Sequence, residues 1–145
     1  MTSGLVRPIA IAVLRRGGSI LVWKGYDPDK QETFYRPLGG GIEFGETAEE
    51  ALRRELREEL DVELGAVRLI GVLENLFRVR GVPGHEIVFV FDAVVADPGF
   101  YSAPPPRNVL DEGGPVSWEP LSGFRSGTAR LYPPELVSLL SGDES

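Results

Sequence analysis

The chain has 145 residues, 42% of them apolar and 26% charged, which suits a single globular domain with one core and argues against disorder away from the ends. Its formal charge of −7, from 22 acids against 15 bases, speaks against a large DNA or RNA footprint, which needs clustered Lys and Arg, but not against a small anionic substrate beside a metal ion. With no cysteine the chain has no disulfide, thiolate metal site or thiol nucleophile, and with no signal peptide or membrane-length apolar run a cytoplasmic, membrane-free location is expected for a monomer or homodimer.

Ile9 to Leu14 and Ile20 to Trp23 are apolar and rich in branched residues, and Arg15-Arg16-Gly17-Gly18-Ser19 joins them, so a β-hairpin is predicted. Gly25 to Thr33 is polar, holds Pro28 and reads as a loop. Phe34 to Leu38 leads into Gly39-Gly40-Gly41, with Gly45 close behind, and a loop of this kind can pass its backbone close to a ligand. Thr47 to Leu60 is the clearest helix: Thr47 is a good N-cap and Glu50 stands where a capping box needs it. Val67 to Val79 holds one or two strands. Glu86 to Val95 is greasy on both faces and reads as a central, covered strand. Asp97 to Pro115 is read as a long loop, Val116 to Leu121 as a strand, Pro133 to about Leu140 as a short last helix, and Gly142 to Ser145 as a frayed tail. The interleaving predicts an α/β layered domain with a mixed sheet spanning residues 1–145.

The helix contains an anomaly. At about 100° per residue, Ala48, Ala51, Leu52, Leu56 and Leu60 form one apolar arc, while Glu50, Arg53 and Arg57 face the other way. Glu55 and Glu59 fall within or beside the apolar arc, and Glu58 lies on its flank near Arg54. Unpaired carboxylates are costly to bury, and three at i, i+3 and i+4 repel one another. A solvated charged face, with Arg53, Arg54 and Arg57 forming local pairs, is one account. A divalent cation held by oxygen ligands is the other, and the glycine-rich stretch just before the helix favours it.

The spacing Gly40-x5-Glu46-x7-Arg54-Glu55-Leu56-x-Glu58-Glu59-x-Asp61-Val62 resembles the Nudix box. One fixed position departs: Asp61 stands where the family has glycine, and the expected consequence is for helix termination rather than chemistry. The resemblance implies an α/β/α sandwich with the catalytic helix at about 47–60. It also implies a magnesium-dependent hydrolase, or one using manganese, for a nucleoside diphosphate linked to some group X. By position it makes Glu55, Glu58 and Glu59 metal-binding and catalytic carboxylates and adds the Gly39 carbonyl as a ligand. It makes Glu46 and Arg54 a pair that orients Glu55. The proton-accepting base stays open between Glu58 and Glu55. A Nudix-fold module that senses a ligand or binds a protein without catalysis is the alternative, although such modules usually lose box carboxylates.

Outside the box, Glu112, six residues before Trp118, and Glu86 are candidates for a further carboxylate, each against the reading of a plain surface acid. Arg36 and Lys24 are candidates to hold phosphate, Arg36 in bidentate fashion. Trp23, Tyr35 and Trp118 are candidates either to stack on a base or to fill the core. His85, the only histidine, is read as a turn residue or a substrate contact. Phe77-Arg78-Val79-Arg80 carries neither the proline nor the tyrosine that marks two substrate subgroups, so X stays a nucleotide or nucleotide sugar, unspecified.

Overall fold

The computed structural model describes residues 4–104 and 115–143. Its strands are β1 (Val6–Val13), β2 (Arg15–Arg16), β3 (Ser19–Asp27), β4 (Glu32–Arg36), β5 (Leu38–Gly41), β6 (Leu64–Val79), β7 (Val82–Val95) and β8 (Val116–Pro120). Its helices are α1 (Ala48–Leu60), α2 (Leu121–Ser126) and α3 (Leu136–Asp143), with a 3-10 turn at Pro98–Tyr101. One sheet runs β5-β1-β7-β6 and is mixed, since β1 lies parallel to β7 and the other pairs are antiparallel. The second sheet places β3 against β2, β4 and β8, all antiparallel.

The alternation along β1 decides which layer lies where. Ala10 and Ala12 join Leu52, Leu56 and Leu60 of α1 in one core cluster. Ile9, Ile11 and Val13 join Leu121 and Phe124 of α2 and Leu136 and Leu140 of α3 in the other. The small alanines let α1 settle close to the strands, and the branched residues fill the opposite layer. The result is the α/β/α sandwich that the box resemblance implied, with β7 as the covered central strand expected of Glu86 to Val95.

Several local expectations are corrected. The predicted hairpin closes only through β2 and β3, where Arg15 pairs with Ile20, while β1 leaves it for the other sheet between β5 and β7. A strand with both faces apolar needs cover on both, and a two-stranded hairpin supplies none. Residues 25–33, read as a loop, are the end of β3, a turn and the start of β4; the Asp27 carboxylate accepts from the Asp29 and Lys30 amides at 2.9 and 3.3 Å and closes that turn. The three glycines form strand β5 on β1 rather than a loop. Of the one or two strands expected in Val67 to Val79 there is one, β6, and it starts three residues earlier, at Leu64. The Pro98–Tyr101 turn interrupts the predicted long loop, and α2 was not anticipated. Among the described residues no helix is long and apolar enough to cross a membrane.

Both ends of α1 behave as local sequence rules require. Thr47 Oγ1 accepts from the Glu50 amide at 3.1 Å, and Glu50 Oε1 accepts from the Thr47 amide at 2.8 Å. Asp61 closes the helix in the left-handed region, φ 57° and ψ 45°, donating its backbone N–H to the Arg57 carbonyl. A side chain there costs roughly 1 kcal/mol, and a carboxylate at a helix C-terminus opposes the dipole. Asp61→Gly is therefore expected to stabilise the fold by about 0.5–1 kcal/mol, read as a raised denaturation midpoint at unchanged slope.

Candidate functional site

The capping box fixes where α1 starts, and the start fixes which side chains face the sheet. Leu52 and Leu56 are fully buried, and the same face carries Glu59, only 6% exposed. Glu55 keeps 15% of its side-chain exposure and Glu58 keeps 46%, so the three carboxylates step outward from the interior. The face they share packs on β5.

The glycines of β5 are the counterpart of these carboxylates. Gly39 donates its N–H to Glu59 Oε1 at 3.1 Å. It adopts φ +152°, and a Cβ there would stand 2.7 Å from the Ile11 Cα and closer still to the Ala10 carbonyl oxygen. A Cβ on Gly40 would run into the Glu55 carboxylate, 2.6 Å from Oε1. Only glycine lets the helix carboxylates lie this close to the strand backbone.

Arg54 is the one box arginine that reaches the cluster. Its guanidinium donates to both oxygens of Glu46 at 2.7 and 2.9 Å, to Glu55 Oε2 at 3.0 Å, to Glu58 Oε1 at 3.3 Å and to the Gly41 carbonyl at 2.9 Å. The bidentate Arg54 bond, helped by the Glu43 amide, holds the Glu46 carboxyl down at about 2. Glu46 and then Glu55 push the Arg54 guanidinium above its ordinary value, so it stays charged. Arg53 is engaged with Glu49 and the Leu64 and Gly65 carbonyls, and Arg57 with Glu63. Local i,i+4 pairs thus account for Arg53 with Glu49 and Arg54 with Glu58, and not for Glu55 and Glu59, which lie deeper.

Among the described residues no three acidic or histidine side chains converge into a ready-made metal cage. The donor set is still all oxygen and suits a hard divalent cation: carboxylates of Glu55, Glu58 and Glu59 on one face of α1, against the backbone of β5. Arg54 sits between Glu55 and Glu58, where it offsets part of their repulsion.

Two arginines share a cavity with the innermost of these carboxylates. Glu59, Gly39 and Gly40 line a cavity of about 140 Å³ together with Arg7, Arg36, Trp23 and Leu38. Arg36 ends β4 in register with Trp23 on β3, and Pro37, which keeps its predecessor extended, carries the chain over to β5 in the other sheet. Arg36 also borders a second cavity of about 260 Å³, mostly apolar, with Phe34, Tyr132, Phe77 and Glu86 in its walls. Phe34 stacks on Tyr132 at 5.0 Å and meets Trp23 edge-on at 5.9 Å.

The structure brings together Glu46, Arg54, Glu55, Glu58, Glu59 and Gly39, and across the cavity Arg36 and Trp23. Glu86 is buried beside Arg36 rather than on the surface. Lys24, exposed on the opposite face of β3 from Trp23, is not among the residues lining these cavities. Tyr35 packs edge-on against Phe124 in the core, where burial raises its hydroxyl pKa, and Trp118 packs with Phe100 and Tyr101 under the Arg16 guanidinium. His85 lines a separate groove with Leu5, Val82, Arg7 and Glu86, and none of the box carboxylates lines it. Glu112 lies outside the described residues. Sequence reasoning missed Arg7 and the stacked pair Phe34 and Tyr132. The partners of both come from distant chain segments, so no local signal announces them.

A family model described as NUDIX domain matches residues 5–128. Among solved structures, the E. coli ORF135 protein aligns over 94% of this chain and 86% of its own at 22% identity, TM-score 0.58. A NUDIX hydrolase from Nitrosomonas europaea aligns over 94% and 87% at 19% identity, TM-score 0.62. A MutT NUDIX hydrolase from Burkholderia pseudomallei aligns over 81% and 85% at 23% identity, TM-score 0.58. At these identities the structural matches speak to the fold.

The Glu46–Arg54 pair has a pH signature. A carboxyl held at about 2 in the fold, against an ordinary 4.5, gives its full stabilisation above about pH 4.5 and loses it as pH falls towards about 2. The stability difference between the natural chain and Glu46→Gln is expected to shrink across that window in denaturant titrations. A difference that stays constant there would remove the pair as its source.

Proposed function

The chain belongs to the NUDIX family, and on that footing we propose that it is a divalent-cation-dependent hydrolase that splits the diphosphate linkage of a nucleoside diphosphate joined to a group X, by attack of water on phosphorus. Membership makes it a hydrolase of the Nudix pyrophosphohydrolase type. The observation that carries the finer reading is one small cavity with an acidic wall, Glu59 beside Gly39 and Gly40, and a basic wall, Arg7 and Arg36. A phosphate is drawn to the second wall and repelled by the first unless a cation stands between. The neighbouring apolar cavity with its aromatic residues supports an organic X such as a nucleotide or nucleotide sugar.

Glu55, Glu58, Glu59 and the Gly39 carbonyl would hold magnesium or manganese, with Glu112 proposed as a further ligand. When bound, such an ion neutralises phosphate charge and lowers the pKa of a coordinated water. The chain's own residues do the rest. Glu59 is fixed in the interior by the Gly39 amide. Glu46 locks Arg54, and Arg54 holds Glu55 and Glu58 at 3.0 and 3.3 Å. One of those two carboxylates takes the proton from the attacking water as the new P–O bond forms and the bridging P–O bond breaks. Arg36 and Arg7 hold the anionic substrate from the other side.

A panel of nucleoside triphosphates, dinucleoside polyphosphates and nucleotide sugars, assayed with magnesium or manganese for released phosphate products, tests the reading and identifies X. Turnover of at least one is expected. Tight binding of one compound with no turnover of any would instead mark a ligand-sensing module. Glu59→Gln is expected to fold normally and to lose roughly a hundredfold or more in kcat. Gly40→Ala should also fold, because the added methyl meets the end of a flexible side chain rather than backbone. By displacing Glu55 it should lower kcat on the order of tenfold to a hundredfold. Full activity in both variants would remove the box helix from the chemistry.

A further inference from the structure

Glu86 is buried, 5% exposed, and no hydrogen bond among the described residues reaches its Oε1. Burying a carboxylate this way is costly unless charge compensates it. Two guanidiniums do so from different sheets. Arg7 is the register neighbour of Glu86 across the parallel β1–β7 pair, and its Nη1 stands 3.7 Å from Glu86 Oε2. Arg36 reaches in from the end of β4, its Nη2 3.8 Å from Oε1. Both distances are ion-pair distances and too long for hydrogen bonds. Among the described residues neither guanidinium is hydrogen-bonded to a protein acceptor, so their N–H donors are unspent.

Those donors border the cavity that faces Glu59. Arg7 lies along β5, where a Cβ on Gly41 would stand 3.1 Å from its Nη2. The trio of Arg7, Glu86 and Arg36 therefore carries one positive charge in excess and presents two planar donor forks to one space. A guanidinium fork matches two oxygens of a phosphate. Without Glu86 the two like charges would drift apart into water.

We propose that Arg7 and Arg36, held together by the buried Glu86, form a clamp for the second phosphate of the substrate, the one further from the box carboxylates. In its use on a substrate this inference rests on the hydrolase reading above. Glu86 is a positioning residue and not a cation ligand.

The chain has two tryptophans, and Trp23 lines the same cavity, so a Trp118→Phe background leaves Trp23 as reporter. Titrating that protein with inorganic pyrophosphate in the presence of a chelator is expected to give a saturable fluorescence change. Arg36→Lys and Arg7→Ala should each raise the pyrophosphate dissociation constant roughly tenfold or more, Arg36→Lys although it keeps the charge. Glu86→Gln should also weaken binding, although it removes a negative charge beside the anion. Tighter binding by Glu86→Gln, unchanged binding by both arginine variants, or no saturation in the background protein would each overturn the proposal. Should Glu86→Gln not fold, the arginine variants decide it, since both side chains keep solvent contact. Turnover of the nucleotide panel with unaltered pyrophosphate binding in the arginine variants sinks the clamp alone. Arginine-dependent pyrophosphate binding without turnover of any compound sinks the hydrolase reading and leaves the clamp.

Discussion

The closeness of α1 to β5 is the constraint on which the site depends. Glu59 reaches the Gly39 amide and Glu55 lies flat against Gly40 because no side chain stands between helix and strand. The same closeness depends on Ala10 and Ala12 beneath the helix and on the capping box that sets its rotation. Moving the helix outward by the width of one methyl would separate the carboxylates from the strand backbone. Small residues on the strands and acids on the helix are therefore two halves of one arrangement.

Charge is distributed to match. The chain is acidic overall, yet two arginines, Arg7 and Arg36, line the same cavity as Glu59. Arg54 belongs to the acidic side and is consumed there, since Glu46 accepts from its Nε and Nη2 and Glu55 and Glu58 share its Nη1. Among the described residues Arg7 and Arg36 are paired with the Glu86 carboxylate at ion-pair distance and keep their hydrogen-bond donors. The two kinds of arginine differ in what their partners leave unsatisfied.

What was legible in the sequence was local. The capping box at Thr47 and Glu50, the left-handed end at Asp61 and the inward lean of Glu55 and Glu59 all follow from residues within a few turns of one another. The covered nature of β7 followed from apolar content alone. The errors were of pairing. Residues 9–13 and 20–23 look like two arms of one hairpin because they are near in sequence, but β1 is buried on both faces and needs neighbours from residues 38–41 and 82–95. Gly39-Gly40-Gly41 has the composition of a turn, and only its partners on β1 and α1 make it a strand. Arg7 becomes meaningful through a register neighbour on β7, and no spacing rule over a single segment can find that.

The carboxylates on α1 and the glycine backbone of β5 are proposed to make a divalent-cation site together. Manganese titration followed by electron paramagnetic resonance tests it without any choice of substrate. The natural chain should hold Mn²⁺ at a saturable site, magnesium should displace it, and the double variant Glu55→Gln, Glu59→Gln should lose it while keeping its fold. Equal manganese binding by the natural chain and the double variant would contradict the account.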